Sequence, residues 1–498
     1  MAEEVVASEE LPYKRVQAIA WVLVLGALAP MLDATMANIA INHLATDFKS
    51  GVDLIQWVIT GYVLAMAVAV PFSGWLIDRF NGKTIYIAGE LIFLLGSLGS
   101  AMAPNLNWLI GARLLQGFGS GIVIPLLTTL LMTMAGKNAG KLMSTVGLPM
   151  VLGPILGPVI GAVIIQNWSW RYIFWVNIPV VIIAVIIIMK MLPSFPARNK
   201  AAKLDFIGVG LLASASSFIM YGVTQAAKAA DIFNHDTLLY GGVGFGLLAL
   251  YVIWALVRKT KAVMPLNLFK HKSFAASSIG LLLGGLMING PMLILPLYLQ
   301  NGRNMSVIAA GLTLIPQGIG MLIARPMIGK LIDQIGARYV TLVSLVFTVV
   351  GTIPFAYFDS KTSMVWIAAA LLVRGIGVGG VFMPLMTDAY TGLEKDQIAQ
   401  ATIGTRITQN IGGSFGSAIL ATVMANSLLN STTDFKVKLA KGVYHVSQTD
   451  MPSFMKQMAA GFQMDAYHTA FWVSIVVTFV TVIPAMFLTN KSKKQATK

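Results

Sequence analysis

The chain has 498 residues, of which 56% are hydrophobic and 11% charged, and its mean hydropathy is +0.76. A soluble domain carries roughly 25% charged residues, so this composition excludes an ordinary soluble protein and requires lipid as the solvent. Cysteine is absent, which excludes disulfides and cysteine-based metal sites or nucleophiles. The five histidines form no cluster with acids at metal-ligand spacing, so neither a metal site nor a bound cofactor is expected.

Apolar windows long enough to cross a bilayer recur along the whole chain. A membrane helix needs about 20 apolar residues. The first window is too long for the core of a signal peptide, so it is interpreted as a retained first span. The sequence predicts fourteen spans, at residues 17–41, 54–76, 84–103, 108–132, 141–164, 170–190, 205–225, 238–257, 274–299, 307–329, 339–357, 364–387, 399–425 and 467–489.

The basic residues lie mainly on one side of the predicted membrane. An even number of spans places both termini on the same side, and the connections on that side hold 22 Lys and Arg residues against nine on the other. Because cytoplasmic loops retain positive charge, the sequence predicts a multi-pass protein of the cell membrane with both termini cytoplasmic. This asymmetry explains most of the net charge of +15 without a nucleic-acid partner.

Three phrases occur twice at a nearly constant separation of 255 to 259 residues, which indicates an internal duplication. Transporters built from two such halves bind substrate near the membrane midplane between them. The paired phrases are GWLIDRFNG from Gly74 with GKLIDQIGAR from Gly329, QGFGSG from Gln116 with RGIGVGG from Arg374, and GPILGPVIGA from Gly153 with GGSFGSAI from Gly412.

The duplication predicts the domain organisation. Two copies of six spans use twelve of the fourteen, and the two left over lie between the copies. We therefore predict a tail at 1–16, a six-helix bundle at 17–190, two inserted helices with their linkers at 191–270, a second six-helix bundle at 271–489 that contains a long outer connection at 426–466, and a tail at 490–498.

Six charged residues lie more than two residues from either end of a predicted span, where charge is costly and marks candidate functional positions. Arg325 and Arg406 are near the cytoplasmic ends of their spans and are expected to snorkel toward the membrane surface. Glu90 is expected to snorkel or to make a latch contact, with substrate binding as the alternative. The remaining candidates are Asp33, Arg113 and Arg374.

The phrases resemble the major facilitator superfamily, in its fourteen-span drug:proton antiporter branch. The resemblance runs from LDATMANIAI at Leu32 to the GGSFGSAI segment, and it leaves out only the tails and the long late connection. It implies an all-α membrane fold in which two six-helix bundles and two extra helices surround a central cavity. It also implies alternation between inward-open and outward-open states.

The resemblance assigns a conformational latch to the loop between spans two and three. An acid and basic residues at a tight turn can form a charge relay that holds neighbouring helices in one state. Asn81 stands where the family has glycine, and a left-handed turn is expected there. The alternative is that these residues only contribute positive-inside charge. The latch residues are Gly74, Asp78, Arg79 and Lys83, with Gly329, Asp333 and Arg338 in the second copy.

Asp33 and Arg113 are predicted to form the proton-coupling site. Arg113 and Gln116 resemble the family motif of span four that is associated with proton coupling. The two charged residues lie roughly 12 and 9 Å below the outer face, at 1.5 Å per residue, so they can meet. An arginine favours a charged acid and apolar burial favours a neutral one, so displacing the arginine would change the proton affinity of Asp33. The alternative is a static ion pair. Asn38, Gln116 and Arg374 are expected to line the substrate cavity.

Span five resembles the antiporter motif that the exporters of the family carry. Glycines at four-residue spacing let helices approach closely and prolines bend them, so the segment is predicted to act as a hinge. The alternative is a glycine run used only for packing. The motif residues are Gly153, Pro154, Gly157, Pro158 and Gly161.

The outer connection at 426–466 is long for such a protein. Met451, Met455, Met458 and Phe462 recur in it at helical spacing. This pattern predicts an amphipathic segment on the outer membrane surface or over the mouth of the cavity. A disordered loop is the alternative.

The sequence therefore predicts a proton-driven exporter and not an enzyme. No GxxxxGK[ST] loop is present for direct use of ATP. Substrates are expected to be hydrophobic or amphipathic small molecules that are neutral, zwitterionic or singly charged, and the protein is expected to be a monomer. Two alternatives remain: an exporter dedicated to one native metabolite, lipid or antibiotic, and a non-transporting membrane sensor.

Overall fold

The structure is a computed structural model that describes residues 12–135, 142, 153, 156–197, 200, 203–229, 231–394, 397–441, 443 and 451–490. These residues form an all-helical fold. Thirteen of the helices in this part of the chain are long and apolar enough to cross a membrane. They correspond to every predicted span except the fifth.

The first half of the repeat comprises helices α1 to α9. A short 3₁₀ segment at Ala37–Ala40 extends α1, and α2 and α3 are short helices in the connection that follows it. The helices are α1 (Tyr13–Met36), α2 (Ile41–Asp47), α3 (Val52–Ile55), α4 (Trp57–Arg79), α5 (Gly82–Ala101), α6 (Leu106–Ala135), α7 (Leu156–Asn167), α8 (Tyr172–Trp175) and α9 (Asn177–Met191).

Two inserted helices and the second half follow. Tight polar turns separate the helices, and Asn81, Asn234, Ser306 and Ser363 accept backbone hydrogen bonds at the starts of α5, α11, α13 and α16. The helices are α10 (Phe206–Ala229), α11 (His235–Arg258), α12 (Lys272–Leu297), α13 (Val307–Thr313), α14 (Ile315–Ile335), α15 (Ala337–Thr352), α16 (Met364–Ala389), α17 (Gln397–Ala440), α18 (Met451–Val480) and α19 (Val482–Ala485).

The predicted fifth span, 141–164, falls mostly outside the described residues. Its later part forms α7, which is shorter than a bilayer requires. Gly153, Gly157 and Gly161 pack in that order on α1, from Met31 toward Met36. Because residue numbers increase in the same direction along the segment and along α1, the segment runs parallel to α1.

Helix crossings recur at the repeat distance, so the duplication is visible in the packing. Gly117 of α6 packs on the backbone of Tyr62 in α4, and Gly375 of α16 packs on the backbone of Gln317 in α14. These positions are 258 and 255 residues apart. The same correspondence relates the crossing of Gly96 with Gln116 to that of Gly351 with Arg374.

The inserted helices lie at the side of the two halves. Helix α10 packs on α4 of the first half and on α17 of the second, and Thr422 of α17 donates a hydrogen bond to the Ala226 carbonyl at 3.2 Å. Helix α11 packs mainly on α10, and only 17% of its most apolar window is buried. The rest of α11 therefore offers an apolar surface to lipid.

The outer connection is helical over most of its described residues, so a disordered loop is wrong there, and the residues of the predicted amphipathic stripe do lie in a helix. Helix α17 continues to Ala440, about 22 Å beyond the predicted end of span thirteen, and α18 begins at Met451. The ring of Phe435 lies 5.9 Å from that of Phe454 and 5.5 Å from that of Phe462. The described parts of the connection therefore continue two membrane helices, and these aromatic contacts hold the two extensions together.

We predict a large stability difference between two glycine variants of α6. A Cβ on Gly117 would collide with the Tyr62 carbonyl, whereas one on Gly111 would meet no atom within 4 Å. Gly117→Ala is expected to destabilise the protein by about 3 kcal/mol through overpacking, and Gly111→Ala to be neutral or slightly stabilising. Thermal unfolding in detergent measures both, and equal midpoints would contradict the crossing.

Candidate functional site

A buried ion pair joins α1 to α6. Arg113 donates through Nη1 to Oδ2 of Asp33, and both side chains are 0% exposed. Arg113 also donates through Nε to the Val58 carbonyl of α4 at 3.0 Å. The structure therefore brings together the two residues for which the sequence predicted a contact.

Amide side chains complete the surroundings of Asp33. Asn177 donates to Oδ1 at 2.9 Å, and Gln116 donates to the same oxygen at 3.4 Å. Gln116 also accepts from Arg113 at 2.9 Å and donates to Ser97 at 2.7 Å. The carboxylate, which α1 carries, is therefore held by side chains of α6 and α9. Sequence reasoning missed Asn177, and its only signal was an amide inside an otherwise apolar span.

Tyr62 separates this ion pair from the centre of the molecule. Its ring centroid lies 4.2 Å from Cζ of Arg113, which is a cation–π distance. Its hydroxyl donates to the Pro30 carbonyl at 3.0 Å, and it lies 2.7 Å from the Ser120 hydroxyl. Tyr62 also lines the central cavity, so this one residue contacts both the cavity and Arg113.

The central cavity has a volume of about 320 Å³ and lies between the two halves of the repeat. Helices α1, α4 and α6 line it from the first half, and α12, α14, α16 and α17 from the second. Flexible methionine side chains form much of the wall, which suits ligands of varied shape. The apolar residues include Met31, Met66, Met292, Met321, Phe382, Met383 and Met386.

The residues expected to line the cavity lie elsewhere. Asn38 is exposed in the 3₁₀ segment at the end of α1. Gln116 points into the ion-pair cluster and is fully buried. Arg374 lies behind the wall and donates to Oε1 of Gln317 at 2.9 Å, and it is Gln317 that faces the cavity. Sequence position locates these side chains along their helices, but it does not fix the rotation of the helices.

Two arginines expected to snorkel are part of the cavity wall instead. Arg325 is 8% exposed and Arg406 is 4% exposed, and both line the cavity. Arg406 donates through Nη2 to the Thr128 hydroxyl of α6 at 2.6 Å and through Nη1 to Gln409 at 3.3 Å. Their helices turn these side chains inward, so the expectation of snorkelling was wrong.

Glu90 does not snorkel either. Its side chain is 0% exposed and packs over Gly26 of α1, where a Cβ would meet both the Glu90 carboxyl group and the Tyr86 hydroxyl. Tyr86 donates its hydrogen bond to the Leu23 carbonyl at 2.6 Å. Glu90 therefore contacts α1 inside the first half and reaches neither the membrane surface nor the cavity.

The predicted latch loop is tied to two different parts of the chain. Arg79 donates to the Lys200 carbonyl at 2.8 Å, and Lys83 donates to the Met189 carbonyl at 2.8 Å. Gly74 instead packs on Ile403 of α17, across the boundary between the halves. Asp78 also has an interaction partner. Asn81 is extended, with φ of −66°, and caps α5 through its side chain, so the expected left-handed turn is absent.

In the second copy of the latch, the turn itself is left-handed. Gly329 and Asp333 lie in the last turns of α14, and Gly336 has φ of 87° at the helix end. The Arg338 amide donates to the Thr489 carbonyl at 3.2 Å, and the Thr489 hydroxyl donates to Asp388 at the end of α16. This copy therefore joins α15 and α16 to the end of the described chain.

The predicted hinge packs on the helix that carries Asp33. Gly153, Gly157 and Gly161 lie against α1, and the Thr35 hydroxyl donates to the Gly153 carbonyl at 3.1 Å. Pro158 is half-buried in α7, and Pro154 lies outside the described residues. The neighbouring Val159 packs on Gly311 of α13, so the same segment also meets the second half.

Comparisons with known proteins agree with this architecture. Residues 23–417 match the family model of the Major Facilitator Superfamily. The chain is 31% identical over 484 residues to a multidrug resistance protein B homolog of Mycobacterium tuberculosis, with 94% of this chain and 89% of that protein covered. It is 26% identical to the multidrug export protein EmrB of Escherichia coli, with 81% and 79% covered. A solved structure of a XylE double mutant superposes with a TM-score of 0.62 at 14% identity, covering 96% of this chain and 97% of that one.

Proposed function

The chain belongs to the Major Facilitator Superfamily, and on that premise we propose that it is a proton-coupled antiporter that exports hydrophobic or amphipathic drugs. Relatives named for multidrug resistance and multidrug export support the direction of transport and the substrate class. In this proposal fourteen spans place both termini in the cytoplasm, because the segment that ends in α7 runs parallel to α1 and supplies the fifth crossing.

The observation that carries the proposal is a fully buried carboxylate that is linked to the cavity through two side chains, Arg113 and Tyr62. Asp33 is held by Arg113, and Tyr62 lies between Arg113 and the cavity. A buried charge is tolerated while it is paired, and it becomes costly when its partner is withdrawn. Separating Arg113 from Asp33 therefore makes proton uptake by Asp33 favourable, and restoring the pair expels the proton.

Helix α1 links the proton site to the drug site. Pro30, Met31, Ala34 and Thr35 line the cavity on either side of Asp33 in the sequence. A drug that displaces these residues moves the backbone that carries the carboxylate. Protonation of Asp33 favours a position of this turn of α1 that is opposite to the one favoured by the drug. Proton and drug therefore compete through α1 without sharing a contact.

The proposal is tested by transport in proteoliposomes. An imposed proton gradient is expected to drive drug against its own gradient, and a proton-conducting ionophore is expected to abolish that accumulation. Drug movement that is equally fast with and without the gradient would contradict proton coupling and leave facilitated diffusion as the activity.

Tyr62 is expected to keep proton and drug movement coupled. Tyr62→Phe keeps the ring over Arg113 and loses only the hydroxyl contacts, so coupled export should fall no more than a few-fold. Tyr62→Ala removes the wall and joins the cavity to the ion pair, so proton leak without drug should rise about tenfold or more. Proton flux in drug-free proteoliposomes measures the leak. A leak through Tyr62→Ala as low as that through the wild type would rule out a role of Tyr62 in coupling.

A further inference from the structure

The two halves of the repeat share their helix crossings but not their charges. By the spacing of those crossings, Arg113 corresponds to Leu371 and Gln116 corresponds to Arg374. Gly153 crosses α1 at Met31, and its counterpart Gly412 crosses α12 at Leu282. Two residues further along each helix lie Asp33 and Gly284, which are therefore equivalent positions. The second half therefore has a buried arginine in this region, and glycine occupies the place of the acid.

Arg374 is a buried cation with unused donors. It is 1% exposed, and its Nε and Nη2 atoms have no hydrogen-bond partner among the described residues. Its one bond is to Oε1 of Gln317. Because the amide oxygen of Gln317 faces Arg374, its amide nitrogen is directed away from the arginine. Gln317 lines the cavity, so it relays positive potential from Arg374 to the wall.

Arg406 brings a second cation directly onto that wall. Its Nη2 and Nη1 atoms donate to Thr128 and Gln409, and its Nε has no partner in the described part of the chain. Arg325 lines the same cavity. No carboxylate is found among the described residues of the lining. Arg374 and Arg406 are buried, and their hydrogen-bond partners among the described residues are neutral side chains. These two cations therefore favour a ligand that supplies the negative charge.

We propose that the second half of the cavity wall binds the acidic group of the substrate, and that the preferred substrates are amphipathic organic anions. The acidic group pairs with Arg406 and receives the field of Arg374 through Gln317, while the methionine-rich wall holds the apolar part. The inference rests on the proposed export function and narrows its substrate class. It divides the molecule into a first half that binds protons and a second half that recognises substrate charge.

The test measures binding to the purified protein in detergent and does not require transport. Three fluorescent probes share one apolar skeleton and carry a carboxylate, its methyl ester or an amine. The wild type is expected to bind the carboxylate roughly ten- to a hundredfold more tightly than the ester, as one charge-assisted contact allows. Arg406→Gln should remove this difference, because it weakens the binding of the carboxylate probe and leaves the binding of the ester unchanged.

Matched variants separate recognition from folding. Arg406→Lys keeps the charge and should keep part of the preference. Arg171→Gln changes an arginine that is exposed, outside the cavity lining, and should bind all three probes as the wild type does. Gln317→Leu removes the side chain that links Arg374 to the cavity and leaves Arg406 unchanged. It should weaken the binding of the carboxylate probe alone. Equal affinity of the wild type for ester and carboxylate, or equal losses for all probes in Arg406→Gln, would overturn the proposal.

Failure of this inference is distinct from failure of proton coupling. Selective binding of the carboxylate without proton-driven export would refute the antiporter and keep the anion site. Proton-driven export with no preference for the carboxylate would refute the anion site and keep the antiporter.

Discussion

Replacing Asp33 with asparagine is expected to abolish drug accumulation driven by a proton gradient, lowering the initial rate about a hundredfold or more. Asparagine keeps the size of the side chain and an acceptor for Arg113, but it cannot take up or release a proton. Exchange of drug for drug across the membrane needs no net proton movement and should persist. Both rates are measured in proteoliposomes.

The comparison requires equal amounts of folded protein. Asp33→Asn leaves the Arg113 guanidinium buried without a counter-charge, which costs about 3 kcal/mol of stability. Asp47→Asn is the matched control, because Asp47 is 52% exposed and pairs with Arg171 at the surface. That variant should transport like the wild type. Undiminished gradient-driven accumulation in Asp33→Asn would refute the role of this carboxylate.

Removing Arg113 is expected to produce the largest loss of stability of any substitution in the site. Arg113→Ala leaves the Asp33 carboxylate buried and removes the cation over the Tyr62 ring. Breaking a buried ion pair from one side costs about 3 to 5 kcal/mol. Substrate-linked proton exchange should also stop, because the variant has no guanidinium that can separate from Asp33 and return to it. Thermal unfolding and proton release measure the two effects.

A double variant shows whether the two residues act as a pair. Asp33→Asn with Arg113→Gln leaves neither charge unpaired, so it should lose clearly less stability than the sum of the single variants. Arg171→Ala breaks the exposed pair with Asp47, a hydrogen bond to the Ala103 carbonyl and a cation–π contact with Trp170, and should still cost less than about 2 kcal/mol. Additive losses in the double variant would mean that the contact between Asp33 and Arg113 contributes nothing beyond its parts.

Much of the architecture follows from patterns that do not depend on tertiary packing. Apolar windows of bilayer length gave thirteen helices at their observed places, and duplicated phrases anticipated crossings such as those of Gly117 and Gly375. The rise of 1.5 Å per residue placed Asp33 and Arg113 at similar depths, and their side chains do meet. Depth along a helix is therefore available from sequence.

Rotation about the helix axis is not available from the sequence. Arg325 and Arg406 were expected to point toward the membrane surface and instead face the cavity, because a membrane helix surrounded by apolar neighbours has no polar face to fix its orientation. Asn177 was overlooked for the same reason. The extensions of α17 and α18 were missed because falling hydropathy ends a span but does not end a helix.

The exchange of a proton for a drug is tested most directly by proton release from the purified protein in weakly buffered detergent solution. The starting state is protein in which Asp33 holds a proton and Arg113 is separated from it. Adding substrate to this wild-type protein is expected to release protons in proportion to the substrate bound, because binding restores the pair of Asp33 with Arg113. Asp33→Asn should bind the substrate and release none. Equal release from the two proteins, or binding to the wild type with no release, would contradict the assignment of Asp33 as the coupling carboxylate.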